Sequence, residues 1–183
     1  MKSKVMLVVL LLLLTTSLIF GATLMTETFE GDTSGWTIVN GSQNNKWQIG
    51  TAQSNGGTHS IYISDDGGST NHYNPDSSSV VHFYKDIVIP VNCNSAVLSF
   101  DFKGQGEYAS MPYDYLTVNA LTNGYNPTAG HPVSNGGGYY LTPNWTNKTV
   151  NIYTSESNTN FANGFTVRVI FTWKNDASLG TQP

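Results

Sequence analysis

S-I-Y-I-S-D-D-G-G-S-T-N-H-Y-N-P-D-S-S-S-V-V-H-F-Y-K-D-I-V-I-P, residues Ser60 to Pro90, holds two strand signals on either side of an oxygen-rich loop. Ile61, Tyr62 and Ile63 form a short β-prone run that ends at Asp65-Asp66-Gly67-Gly68, followed by Ser69, Thr70 and Asn71. From Val80 a longer run alternates: Val81, Phe83, Ile87 and Ile89 share one face with Lys85. Pro90 lacks a ladder donor and ends it. Strands that rigidly flank a loop of carboxylates, hydroxyls and amides are how a β domain holds a hard cation or a sugar.

The same period of two recurs on both sides of this stretch. Leu24 to Phe29 reads as a first strand, broken by Gly31-Asp32 and Ser34-Gly35. Trp36 to Val39 and Lys46 to Ile49 flank Asn40-Gly41, a hairpin signal. Downstream, Ala96, Leu98, Phe100 and Phe102 line one face of a strand whose Ser99, Asp101 and Lys103 point the other way. Gly104 to Glu107 breaks it, and Tyr115 to Leu121 resumes with Leu116, Val118 and Ala120 inward. Asn123 to Gly138 is a long loop with Pro127, Pro132 and three consecutive glycines, a length usually tied to function or flexibility. Thr149 to Tyr153 is a further strand. Phe165 to Trp173 is the clearest of all, with Phe165, Val167, Val169, Phe171 and Trp173 on one face.

No segment after the N-terminal leader sustains a helical period. Eight or nine strands joined by turns predict an all-β fold, an antiparallel β-sandwich of the jelly-roll kind. A doubly wound α/β fold is excluded for want of helical segments.

The chain of 183 residues has room for one domain and a leader. Lys2 and Lys4 precede an aliphatic run from Val5 to Leu14, and Thr15 to Ala22 turns small and more polar, the pattern of a signal peptide over residues 1–22. The cut is expected after Gly21 or Ala22. An uncleaved anchor is the alternative, although Val5 to Phe20 is shorter than the roughly 20 apolar residues a full span prefers. Residues 23–183 then form the β domain, with no membrane insertion after cleavage and a secreted or cell-surface location.

Without Lys2 and Lys4, six basic residues remain of the 8, against 12 acidic ones. That excess of acid argues against nucleic acid as a partner, since no basic face exists to neutralise phosphates. Cys93 is the single cysteine, which excludes an intramolecular disulfide and a zinc cluster. Such an exported domain is held by its core, by a metal, or by both.

Glu107 and Asp114 suit a glycosidase carboxylate pair, but both abut strand ends, and a structural or second ion-binding role is favoured. His59, His72, His82 and His131 lack metal-ligand spacing, and Cys93 has no activating neighbour in sequence. Flat aromatics stack on sugar faces, which makes Trp36, Trp47, Tyr73, Tyr139, Tyr140 and Trp145 candidates. Trp36 and Trp47 are read as core. Tyr139, Tyr140 and Trp145, beside the glycine run, are read as the exposed ligand-binding set. N-x-[ST] sequons at Asn40, Asn144 and Asn147 mark polar loops.

Six motifs in order carry a family resemblance: W-Q-I-G at Trp47, S-I-Y-I-S-D-D-G-G at Ser60, Y-K-D-I-V-I-P at Tyr84, L-S-F-D-F-K-G-Q-G-E at Leu98, D-Y-L-T-V at Asp114, and F-T-W-K-N-D at Phe171. Together they resemble the cleaved-adhesin or choice-of-anchor-J type of jelly-roll domain, a relative of the MAM domain found at the head of secreted bacterial surface proteins. The resemblance covers Thr26 to Pro183. It implies a structural calcium, with Glu30 and Asp65 or Asp66 as ligands, although the acidic loop lacks EF-hand spacing. It also implies a closing strand beyond Gly180-Thr181-Gln182-Pro183, so the domain is expected to be truncated at its C-terminus.

The expected function is a secreted, non-catalytic adhesion or carbohydrate-binding module, calcium-stabilised, within a larger surface protein. Its partner would be a glycan or an extracellular protein. The alternatives are an accessory domain of a secreted hydrolase and a purely structural spacer.

Overall fold

A computed structural model describes residues 21–91, 93, 95–122, 124–134, 138–152, 164–178 and 180. The leader up to residue 20, Tyr153, two of the three loop glycines and Pro183 lie outside the described residues.

Nine strands occur among them. The first four are β1 (Thr37–Val39), β2 (Lys46–Gly50), β3 (Ser60–Ser64) and β4 (Ser79–Ile89). β5 (Val97–Gly104), β6 (Glu107–Tyr108), β7 (Pro112–Thr122), β8 (Thr142–Asn151) and β9 (Phe165–Asn175) follow. All pairings are antiparallel. One layer is a five-stranded sheet of order β1-β4-β9-β7-β6, and two two-stranded ladders, β2-β3 and β5-β8, face it. The fold is an all-β sandwich.

Apolar residues at alternate positions make the core between the layers. Val81, Phe83 and Ile89 of β4 meet Val167, Val169, Phe171 and Trp173 of β9, with Trp47, Ile63 and Leu116 around them. Phe83 and Phe171, Cα partners in the β4–β9 ladder, stack at 4.5 Å and 6°. Trp47 meets Phe83 edge-on at 4.7 Å, and Phe100 meets Phe171 edge-on at 5.3 Å. One aromatic from each small ladder is thus keyed into the same stack. Fully burying such a side chain is worth about 1.5–3 kcal/mol.

β9 is buried on its outer face as well, because the segment 124–134 lies over it. Arg168 donates to both Asp86 oxygens at 2.7 and 2.8 Å, and its Nη1 donates to Tyr125 O and Asn126 Oδ1 at 2.7 Å. His82, fully buried, donates from Nε2 to Thr128 O at 3.1 Å, which leaves Nδ1 to accept from the Thr172 hydroxyl at 2.9 Å. Desolvation holds the His82 pKa below its ordinary value.

Three local expectations are corrected. Leu24 to Phe29 forms no ladder, although Met25, Glu27 and Phe29 are half-buried in alternation with exposed neighbours. Glu27 Oε1 captures the amides of Thr28 and Phe29, and Phe29 then turns left-handed at φ 60°. β1 and β2 do not form a hairpin: β1 pairs with β4 and β2 with β3. The Asn40 amide instead binds both Trp47 N (2.9 Å) and Trp47 O (3.0 Å), standing in for a ladder partner while the chain crosses between layers. Finally, β8 starts at Thr142, through the polar T-P-N-W-T-N-K that carries no apolar alternation.

Candidate functional site

The acidic loop folds onto itself. Asp66 Oδ1 accepts from Ser64 Oγ at 2.7 Å and from Thr70 N at 3.0 Å, and Oδ2 accepts from Thr70 Oγ1 at 2.8 Å. These donors, the Ser64 hydroxyl first, hold its pKa at about 2. Gly67 and Gly68 take φ of 78° and 96°, which lets the turn close so tightly. Asp65 is exposed, and its amide donates to His72 O.

Glu30 is committed elsewhere. Oε1 accepts from Thr58 N and His59 N, both at 2.6 Å, and Oε2 from Thr58 Oγ1 at 2.6 Å. With the Thr58 hydroxyl bond the largest cause, its pKa falls to about 2. Glu30 ties the turn at Thr58-His59, whereas Asp66 ties its own loop. The structure does not bring Glu30, Asp65 and Asp66 together.

What it does bring together is Glu107, Asp114 and Asp176, whose ligand oxygens all lie within 4.8 Å of one another. Three elements converge there. Glu107 and Asp114 are Cα partners across β6–β7, and Asp176 follows the last residue of β9. The end of β9 is anchored by buried amides: Asn45 Nδ2 donates to Asn175 Oδ1 at 3.0 Å, and Asn175 Nδ2 donates to Ser77 O at 2.8 Å.

Asp114 is closed to solvent at 0% exposure. Its Oδ2 accepts from Tyr73 Oη at 2.7 Å and its Oδ1 from Asp176 N at 3.0 Å. Desolvation outweighs these two bonds and, helped by the Asp176 and Glu107 charges, pushes its pKa up to about 6. Burial, then the Asp114 bond, raises the Tyr73 phenol. Gly180 seals the cluster, since a Cβ there would lie 2.6 Å from Tyr73 Oη and 2.7 Å from Asp114 Oδ2.

Among the described residues, Glu107 Oε2 is a buried acceptor with no hydrogen-bond partner. Two unit charges about 4 Å apart repel by roughly 4 kcal/mol at the effective dielectric of a protein's outer regions. Three ionised carboxylates this close therefore call for a proton or a cation. Asp114, at 0% exposure, offers a sugar no accessible oxygen in this geometry, unlike the half-buried Glu107 and Asp176.

The aromatic candidates separate. Tyr139 is half-buried against Phe100 (5.5 Å) and Phe102 (5.9 Å), with Lys148 Nζ 5.8 Å from its ring centre. Trp145 is half-buried and lines a large open cavity. Tyr140 stacks on Tyr108 at 5.4 Å and 3°, and Tyr108 is 49% exposed. Tyr73 and Trp47 are core. Exposed Met111 and Leu141 adjoin the tyrosine stack in sequence, and Leu141 adopts φ 45° while its amide donates to Gln105 O.

Residue-level reasoning passed over Tyr108 and Asp176. Tyr108 stands next to Glu107 in a stretch that reads as a break, and Asp176 is visible only within the F-T-W-K-N-D motif. Compared with protein-family models, curated proteins and solved structures, the chain matches none.

Proposed function

We propose that the chain is a secreted, non-catalytic module of jelly-roll type that adheres to a glycan through Tyr108 and Tyr140. The observation that carries this is their parallel stack at 5.4 Å, with Tyr108 half exposed at one end of a rigid sandwich. A flat ring held by a neighbour loses little entropy on binding, and stacking releases water from both ring and sugar. Tyr139, packed against Phe100 and Phe102, supports the sheet from behind.

The calcium implied by the family resemblance fits this chain at Glu107, Asp114 and Asp176. The donor set is all hard oxygen, the kind calcium takes. The unpartnered, buried Glu107 Oε2 is the acceptor such an ion would satisfy. When bound, the ion would neutralise the cluster and tie β6, β7 and the end of β9 together. Glu30 and Asp66 serve as turn-closing carboxylates instead.

The test is a glycan array with the full chain, followed by titration of any hit. Tyr108→Ala and Tyr140→Ala are expected to weaken binding by about 1–3 kcal/mol each, in line with loss of a stacked ring. Binding that survives both substitutions, or an array without hits, would sink the glycan assignment.

A further inference from the structure

We propose that the acidic cluster and the tyrosine stack are one coupled unit, in which a divalent cation held by Glu107, Asp114 and Asp176 orders β6 and thereby presents Tyr108 against Tyr140. The coupling presupposes the ion centre and the tyrosine surface proposed above. Its structural basis is β6 itself, a strand of two residues in which Glu107 belongs to the cluster and Tyr108 to the stack.

Among the described residues, little else holds β6. It forms two Cα pairings with β7, Glu107 with Asp114 and Tyr108 with Pro112, and the register shifts between them. By contrast β4 and β9 share an unbroken ladder from Ser79–Asn175 to Ile89–Phe165. A two-residue strand with an irregular register has almost no ladder stability of its own, so the contacts of its two side chains decide whether it is ordered.

Glu107 supplies the independent sign of a ligand. Its Oε2 is buried although the residue as a whole is half-buried, and among the described residues it accepts no hydrogen bond, in a group of carboxylates whose oxygens lie within 4.8 Å. Without a counter-charge, repulsion drives Glu107 outward, and Tyr108 must move with it because the two are consecutive. With the cation in place Glu107 is pinned and Tyr108 is aimed at Tyr140. The partner half is anchored on β7 rather than on β6: Tyr139 exchanges both backbone bonds with Leu116, at 3.0 and 2.8 Å. Tyr140 follows Tyr139 directly and is held from that side.

Coupling between two sites is reciprocal, so the stack must feed back on the ion. The experiment uses the full secreted chain, stripped with chelator and titrated with calcium chloride alone, no glycan present. Calorimetry gives the calcium affinity, and hydrogen exchange with mass spectrometry follows residues 105–112. Calcium is expected to slow exchange in 105–112 by about tenfold or more while the β4–β9 ladder is unchanged. Tyr140→Ala, which removes no carboxylate, is expected to weaken calcium binding by about fivefold. Glu107→Gln is expected to abolish the calcium effect on exchange. If calcium binds but exchange in 105–112 and the Tyr140→Ala affinity are unchanged, the coupling is wrong and the ion centre stands. If calcium does not bind at all, the ion centre falls and the coupling with it.

Discussion

Tyr73 and Asp114, 41 residues apart in sequence, meet in a 2.7 Å hydrogen bond that closes the buried side of the acidic cluster. The phenol donates to Asp114 Oδ2, and its ring packs edge-on against Trp173 at 5.2 Å. One residue therefore serves both the core and the cluster. Tyr73→Phe keeps the ring and removes the donor, leaving a buried carboxylate oxygen unsatisfied. It is expected to destabilise the fold by about 1–3 kcal/mol in urea unfolding. A loss below a few tenths would show that the bond carries no stability.

The raised Asp114 pKa sets a pH signature for the proposed calcium centre. A carboxyl raised to about 6 in the folded state binds a proton more readily folded than unfolded. Its stabilising contribution is therefore complete below its ordinary value of 3.8 and is lost as pH rises through about 6. A calcium ion at the proposed centre would need the ionised form and would displace that proton. The rise in Tm on adding calcium is expected to be larger at pH 7.5 than at pH 5. An equal rise at both would mean that Asp114 is not a ligand.

Glu30 and Asp66 act in the opposite direction. Both pKa values are lowered to about 2, so their contribution is present above the ordinary 4.5 and 3.8 and is lost as pH falls toward about 2. Each is expected to act locally, on its own turn. Glu30→Gln should speed amide exchange at Thr58 and His59 at neutral pH and leave Thr70 unaffected, whereas Asp66→Asn should do the reverse. Exchange that changes at both turns in either variant would link what the structure keeps apart.

The stacked pair at the centre of the sandwich offers the largest single effect. Phe83 and Phe171 are 3% and 6% exposed and touch rings from both small ladders. Phe83→Ala or Phe171→Ala is expected to cost about 3–5 kcal/mol, measured by chemical denaturation. A cost near 1 kcal/mol would mean that the interlayer cavity collapses to fill the space.

Arg168 and Asp86 separate anchoring from simple ion pairing. The Asp86 side chain is 40% exposed, so Asp86→Asn is expected to cost at most about 1 kcal/mol. Arg168→Met also strips donors from Tyr125 O and Asn126 Oδ1. Limited proteolysis is expected to open the 124–134 segment in Arg168→Met and not in Asp86→Asn. Equal resistance in the two would place the anchor at His82 and at the 2.8 Å bond from Gly130 N to Val80 O.

Strands that bury one apolar face were legible as strands. Alternation at Val81, Phe83, Val167, Val169 and Phe171 predicts β4 and β9 because those residues face the core. β8 was largely missed because its Thr142–Lys148 half draws its stability from pairing with β5, which leaves no mark on its own polar residues. The false hairpin at Asn40-Gly41 arose because the turn chemistry is real while the ladder is not: the Asn40 side chain occupies the Trp47 backbone groups. The acidic loop offered the most visible oxygens, yet adjacent Ser64 and Thr70 satisfy Asp66, and such local donors can be weighed only in three dimensions. The cluster that does form draws on residues 62 positions apart, Asp114 and Asp176, joined only because β7 pairs with β9.

The placement of β9 gives the sandwich a mechanical polarity. β9 lies between β4 and β7 and is bonded along both edges, whereas β1 holds to β4 by three pairings, Thr37–Tyr84 to Val39–His82. Tension applied from the N-terminal side peels β1 off one pair at a time. Tension from the far side loads both β9 ladders at once. A sandwich built this way yields first at its entrance, while the β4–β9–β7 centre stays intact.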